Sequence, residues 1–280
     1  MLEELFSRAV ARSPVLRRSA WRWIYQFLGA TYATWDRWTF MNYGYEPLAP
    51  SDRPSLAEAD EPDRYFIQLY HYVATAVNIK ALDVLEVGSG RGGGASYIKR
   101  YLAPKTMTGL DFSQSAISFC RARHIVDNLI FIPGDAECLP FADNTFDAVV
   151  NIESSHCYGS IAHFVTEVQR VLRPGGYFLF ADFRDSKKSA LLQAQLTHSG
   201  MEVVRKVDIT PNVLSALDTY NEAKLALIEH QMHWWMRKPF QNFAAVKGSP
   251  IYESFKNKST VYHHYLLQKS SPNDHSIRRG

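Results

Sequence analysis

Five short runs rich in Val, Leu, Ile and Phe recur along the middle of the chain: Leu82 to Val87, Met107 to Leu110, Leu129 to Ile132, Phe146 to Val150 and Tyr177 to Ala181. Helical stretches separate them near Gly92 to Tyr101, Ser113 to His124 and Ile161 to Leu172. Runs that stay apolar without alternating must be covered on both faces, which a mostly parallel sheet wrapped by helices achieves. Asp60, Glu61 and Pro62 open an earlier helix, expected to reach about Val77. The tail adds two expected strands, Glu202 to Ile209 and Thr260 to Leu267, which bring the sheet to seven. Thr210 to Lys238 between them reads as one helix, followed by an insertion to about Phe255 that carries Met232, Trp234, Trp235 and Met236. The expected fold is a doubly wound, Rossmann-like α/β sheet with helices on both faces, in which an aromatic insertion serves as a lid or a satellite core.

With 280 residues and 46% hydrophobic content, the chain has material for one large core with appendages. The expected division is an N-terminal helical cap and lid over 1–60, then a main domain over 61–280 with the helical insertion at about 210–258. Residues 5 to 35 hold Arg8, Arg12, Arg17, Arg18 and Arg22 and no acid, among Trp21, Trp23, Tyr25, Phe27, Tyr32 and Trp35. Such a helix packs its aromatics on the main domain, or lies on an anionic membrane surface or beside an apolar substrate.

The balance of 31 basic against 28 acidic side chains gives +3, too little for a phosphate-backbone footprint, so nucleic acid is not an expected partner. Cys120, Cys138 and Cys157 are odd in number and lack C-x-x-C spacing, which argues against a disulfide framework and against a metal site. No apolar run approaches the roughly 18 to 20 residues of a spanning helix, and Met1 to Glu4 carry no secretory pattern. A cytoplasmic protein is expected, with membrane association through the N-terminal helix as the variant of that reading.

The densest signal is Leu85-Glu86-Val87-Gly88-Ser89-Gly90-Arg91-Gly92-Gly93-Gly94, which follows a buried strand and opens a helix. Glycines there let the backbone turn sharply and approach a ligand, while free helix N-terminal amides face it. A nucleotide-like cofactor is expected; by itself the pattern also satisfies a dinucleotide fingerprint. Asp111 ends the second strand 21 residues after Gly90, where an acid accepts two hydrogen bonds from a ribose diol. Gly134-Asp135-Ala136-Glu137-Cys138-Leu139-Pro140-Phe141 follows the third strand. Phe146-Asp147-Ala148-Val149-Val150 and Val171-Leu172-Arg173-Pro174-Gly175-Gly176 come after it.

In this order, over about 110 residues, these motifs resemble the class I S-adenosylmethionine-dependent methyltransferases. The resemblance implies the class I fold and S-adenosyl-L-methionine as cofactor, with S-adenosyl-L-homocysteine as its product. It implies a methionine site at Glu86, Gly88, Ser89 and Gly90, a ribose site at Asp111 with Phe112 beside it, and an adenine site at Asp135, Ala136 and Glu137. Asn42-Tyr43-Gly44-Tyr45 resembles the aromatic lid of small-molecule members and assigns Tyr43 to the cofactor. Asp143 and Asp147 read as turn residues.

A narrower resemblance rests on Asn151-Ile152-Glu153-Ser154-Ser155-His156-Cys157-Tyr158, Ala181-Asp182, Glu58-Ala59-Asp60-Glu61-Pro62 and Leu69-Tyr70-His71. These look like the phthiotriol and phenolphthiotriol dimycocerosate O-methyltransferases of lipid biosynthesis, and like sugar and macrolide O-methyltransferases, over residues 40 to 185. The resemblance implies catalytic roles for His156 and Asp182, with Asn151 at the cofactor. An alcohol is a weak nucleophile, so a base near neutrality is wanted as its oxygen attacks the methyl, and no metal is needed. His71, His163, His198, His230, His263 and His264 lack such context and read as helix or strand surface. The expected activity is methyl transfer to a hydroxyl of a small hydrophobic natural product or lipid. Carbon or nitrogen acceptors stay open, as does a non-methylating cyclase that keeps the cofactor intact. Oligomeric state and pathway are not encoded in these motifs.

Overall fold

In the computed structural model, which describes residues 38–49 and 52–271, seven strands form one sheet in the order β3-β2-β1-β4-β5-β7-β6. They are β1 (Asp83–Val87), β2 (Thr106–Asp111), β3 (Leu129–Pro133), β4 (Phe146–Ile152), β5 (Leu172–Asp185), β6 (Met201–Asp208) and β7 (Thr260–Lys269). Strands β1 to β5 pair in parallel, and β7 runs antiparallel to both β5 and β6. The expected seven-stranded, mostly parallel, Rossmann-like sheet is the observed one. The described helices are α1 (Arg64–Ala74), α2 (Gly93–Leu102), α3 (Gln114–Arg123), α4 (Ile161–Val171), α5 (Ser186–Thr197), α6 (Thr210–Thr219), α7 (Asn221–Gln231), α8 (Trp234–Phe243) and α9 (Pro250–Lys256).

Successive strand residues point to opposite faces, and both faces are buried. Val84 belongs to one core layer and Leu85 to the other; Val150 and Ile152 of β4 join the first, and Val149 the second. Ile67, Ile98, Ile117 and Val213 from α1, α2, α3 and α6 complete the first layer, while Phe164, Val168, Leu192 and Leu196 from α4 and α5 complete the second. Helix starts are fixed by side chains that satisfy free amides: Ser113 accepts from Ala116 N, Ser160 from His163 N, and Asp185 from Lys187 N. Helix α5 has no counterpart among the sequence expectations. Its Ser-Lys-Lys start is polar, and it buries only Ser189, Leu192 and Leu196.

The single helix expected over Thr210 to Lys238 is three helices. Tyr220 leaves helical geometry between α6 and α7, and Met232 and His233 are extended before α8. The helix expected from Pro62 starts at Arg64, because Pro62 sits in a short 3-10 turn over Glu58–Asp63. His264 is not on the strand surface: it is fully buried beside Tyr72, with ring centroids 5.2 Å apart, and burial pulls its pKa down to about 3. Trp234 and Trp235 are 78% and 57% exposed, so the tryptophans of the insertion face solvent rather than closing over a site. The expected N-terminal helix, with its five arginines, lies outside the described residues.

Residues 42 to 46 are pinned between α1 and α6. Tyr45 N donates to Tyr65 O, Asn212 Nδ2 to Glu46 O, and Gln68 Nε2 to Tyr45 O. The chain leaves β1 for β2 and β3 on one side, then returns to β4 on the other. The connections leaving adjacent strands β1 and β4 therefore run to opposite sides and open, outside the carboxyl ends, the crevice in which such sheets bind ligands.

Candidate active site

Gly88, Gly90 and Gly92 all lie in the left-handed region, with φ of +78°, +51° and +79°. A Cβ on Gly88 would collide with Ser154 Oγ, whereas one on Gly90 would find only Met41 Sδ, at 3.5 Å. The first glycine is thus a packing requirement, and the third position of the turn leaves open space. Both Gly88 N and Ser89 N donate to Leu110 O, at 2.8 and 3.0 Å, which ties the turn to β2. Asp111 completes it, with Oδ2 accepting from Gly90 N and Oδ1 from Ser113 N, each at 2.8 Å. Burial raises the Asp111 carboxyl against these backbone donors.

A cavity of about 160 Å³ lies over this turn. It brings together Gly88, Ser89, Gly90, Asp111, Phe112, Asp135, Ala136 and Glu137, all expected at a cofactor. Asp135 accepts from Glu137 N at 3.0 Å and holds its own loop in shape, while Glu137 accepts from Gly159 N at 2.7 Å and ties that loop to the one before α4. Ser89 Oγ is buried with no hydrogen-bond partner among the described residues. A glycine turn with space above Gly90, a carboxylate at the second strand and an unsatisfied hydroxyl fit an adenosyl amino acid in an extended pose. Trp38 to Asn42 form the opposite wall, and Arg91 anchors them by donating to Trp38 O.

Three expected cofactor residues do not line that cavity. Glu86 is fully buried behind the turn, where Tyr70 OH donates to Oε1 at 2.7 Å and burial pushes the carboxyl pKa up to about 8. Asn151 braces the turn from beneath, its Nδ2 donating to Val87 O and Ser154 Oγ at 2.8 and 2.7 Å. Tyr43 packs its ring on Phe183 and Phe255, with centroids 5.4 and 5.7 Å away. Gly44, at φ +87° against Tyr65, turns the chain so that the residues before Tyr43 face the cavity instead. Asp143 and Asp147 are turn and strand-end residues paired with Arg170 and Arg173, outside this cavity.

His156 and Asp182 are hydrogen-bonded. The imidazole sits in a 3-10 turn, Ser155–Cys157, immediately after β4, and Asp182 lies near the end of neighbouring β5. Nδ1 is 2.9 Å from Asp182 Oδ1, and Asp182 Oδ2 accepts from His156 N at 3.0 Å and from Ser155 Oγ at 2.6 Å. Arg184 stands 3.0 Å from Oδ2. Burial opposes ionisation of Asp182, yet Arg184 and His156 hold it well below the usual carboxylate range. Burial also opposes charge on His156, but neighbouring Cys157 and Asp182 outweigh it and push the ring up to about 10. The ring stacks on Phe183 at 4.5 Å. It lines neither described cavity; Cys157, next in sequence, lines the first.

Glu153 is a site residue to which the sequence assigned no role. It follows β4 at φ +47°, lines the cofactor-side cavity, and accepts from Tyr43 N at 2.8 Å and Tyr262 OH at 3.0 Å. Burial, reinforced by Asp182, pushes its carboxyl up to about 8. Its place straight after a central strand at the switch point is the signal that would have found it. A second cavity, of about 430 Å³, shares Trp38, Phe40, Met41 and Asn42 with the first and is closed by Tyr43, by Phe66 of α1 and by residues of α7 and α8. Among the described residues no cluster of His, Cys, Asp or Glu is placed to hold a metal, and no helix is long and apolar enough to cross a membrane.

Residues 85–180 match the model of a methyltransferase domain. The chain is 37% identical over 265 residues to the phthiotriol/phenolphthiotriol dimycocerosates methyltransferase of Mycobacterium tuberculosis, covering 95% of this chain and 97% of that one. It is 40% identical over 84% of both chains to a fatty-acid O-methyltransferase of Mycolicibacterium smegmatis. Among solved structures, the [4+2]-cyclase SpnF aligns with a TM-score of 0.67 at 19% identity, covering 89% of this chain and 94% of that one. Geranyl diphosphate C-methyltransferase from Streptomyces coelicolor, crystallised with S-adenosyl-L-homocysteine, aligns at 0.60 and 18%, covering 88% and 97%. Likeness at such identity speaks to the fold.

Proposed function

Since the chain belongs to the S-adenosylmethionine-dependent methyltransferases, we propose that it transfers the methyl group to a hydroxyl of a small hydrophobic lipid or natural product, with His156 as general base. The names of its relatives support a lipid oxygen as the acceptor. The observation that carries the base is the 2.9 Å contact between His156 Nδ1 and Asp182 Oδ1 at the carboxyl edge of the sheet.

Bound S-adenosylmethionine supplies a methyl group on a cationic sulfonium, activated for attack without a metal. Gly88 to Gly90 and Asp111 hold its amino-acid and ribose parts, and Asp135 with Ala136 flanks the adenine. Trp38 to Asn42 cover this cavity and exclude water, which strengthens each polar contact inside. Asp182 accepts a hydrogen bond from Nδ1–H of His156 and keeps the proton on that nitrogen, so that Nε2 is the nitrogen that removes the acceptor's proton. Glu153, protonated at neutral pH by its burial, orients the tyrosine-rich wall between the cofactor and acceptor sides.

The test is to incubate the protein with S-adenosylmethionine and matched long-chain alcohols, phenols and amines. Expected is a methyl ether formed in step with S-adenosylhomocysteine. An acceptor that rearranges while the cofactor stays intact, or methylation at carbon or nitrogen alone, overturns the reading.

A further inference from the structure

Lys224 on α7 is 7% exposed and lines the second cavity. Its Nζ donates to Ala244 O at 2.7 Å, and it forms no ion pair among the described residues. An ammonium has three donors, so the carbonyl satisfies one of them. Burying such a cation without a counter-charge is costly. The consequence is visible in its pKa, which burial pulls down to about 8 against the attraction of Glu153. The walls around it are apolar, with Phe66, Ile228, Phe240 and Phe243 prominent, and Asp63, also on the wall, makes no ion pair with it. Largely apolar walls that bury a single cation, with Asp63 as the one acid among them, are the composition of a site for an amphiphile whose head is anionic. Because this cavity shares Trp38 to Asn42 with the cofactor side, apart from Thr39, a molecule bound in it lies next to the reaction centre.

We propose that the second cavity takes a long-chain carboxylate, with Lys224 gripping the carboxylate and the aromatic wall covering the hydrocarbon. The inference deepens the proposed function, with the carboxylate as the anchor and a hydroxyl of the same molecule as the acceptor, and rests on it only for that hydroxyl; the site itself is tested by binding, without turnover.

The experiment is calorimetric titration of the full chain, saturated with S-adenosylhomocysteine, with dodecanoate and with 1-dodecanol. The wild type is expected to bind the acid roughly tenfold or more tightly than the alcohol, as a charge-assisted hydrogen bond to a buried ammonium gives. Lys224→Gln retains a donor for Ala244 O and loses the charge; Lys224→Met loses both. In each the preference for the acid is expected to vanish while affinity for dodecanol and for S-adenosylhomocysteine is unchanged. Lys224→Arg is expected to keep the preference. Equal affinity for acid and alcohol in the wild type, or a preference that survives in Lys224→Gln, overturns the assignment. Failure of methyl transfer to every acceptor, with the binding preference intact, would instead strike the proposed function alone.

Discussion

Asp182 holds His156 from two sides, with Oδ1 2.9 Å from the ring Nδ1 and Oδ2 accepting the backbone N–H at 3.0 Å. The ring is therefore fixed in rotation as well as in tautomer, and the remaining acceptor capacity of the carboxylate goes to Phe183 N on Oδ1 and to Ser155 and Arg184 on Oδ2. A base held this way loses little on ordering in the transition state.

A general base acts in its neutral form, and the pair sets the pH at which His156 becomes neutral. Burial favours the neutral ring, but Cys157 and Asp182 outweigh it and move the pKa up to about 10. For an aliphatic alcohol, kcat/KM should climb with pH toward about 10 rather than level off near the ordinary histidine value of roughly 6.5. His156→Ala should lower kcat by about 10²- to 10⁴-fold, abolish that limb and leave cofactor affinity unchanged. A wild-type profile flat above pH 7 would remove His156 from the proton transfer.

Asp111 serves the glycine turn and, in the proposed reading, the ribose. Its two oxygens take the backbone amides of Gly90 and Ser113, and the Phe112 amide also bonds the carboxylate, so the turn and the start of α3 are both fixed on this one side chain. Asp111→Asn places an amide donor against one of those amides and removes the charge. Cofactor affinity measured by calorimetry should fall roughly tenfold or more, with the thermal midpoint lowered as well. Unchanged affinity would mean that the diol is held elsewhere.

The sheet was legible because every central strand is apolar on both faces, and the turn was legible because Gly88 and Asp111 obey local spacing rules. Roles that depend on depth were not. Glu86 lies in β1, two residues before Gly88, and the alternation of the strand points it behind the turn toward Tyr70. Asn151 sits at the right sequence position for a cofactor contact, but its Nδ2 is consumed by Val87, Ser154 and Tyr158 and the side chain is buried beneath the turn. Of the wall from Trp38 to Asn42 the lid motif touched only Asn42; Trp38 to Met41 acquire their place through long-range bonds such as Gly93 N to Thr39 O, which no local pattern announces. The insertion misled for a third reason: Thr210 to Lys238 has helical composition throughout, and its breaks at Tyr220 and Met232 follow from packing rather than from Gly or Pro.

Gly94 separates packing from ligand binding. A Cβ there would fall inside the ring of Tyr70, the residue that bonds Glu86. Gly94→Ala should destabilise the protein by about 1–3 kcal/mol through overpacking, read as a lower urea midpoint, even though alanine favours the helix. Stability equal to wild type would show that Tyr70 moves freely and that the Tyr70–Glu86 contact is not what fixes α2 on the sheet.

Glu153 gives stability a pH dependence of the unusual sign. Its folded pKa is pushed up to about 8, chiefly by burial, against an ordinary glutamate value of 4.5. Between those values the folded protein holds a proton that the unfolded chain has released, so the contribution is full below about pH 4.5 and is lost as pH rises through about 8. Glu86 acts in the same window, and His156 in a higher one, so the wild-type curve alone does not isolate Glu153. Glu153→Gln does, because an amide oxygen still accepts from Tyr43 N and Tyr262 OH and never ionises. Compared by urea unfolding, the variant should match the wild type near pH 5 and be the more stable near pH 8.5. A difference between the two that stays constant across that range would mean that Glu153 carries its charge in the folded protein. The Tyr43 and Tyr262 contacts would then serve a carboxylate instead of an acid.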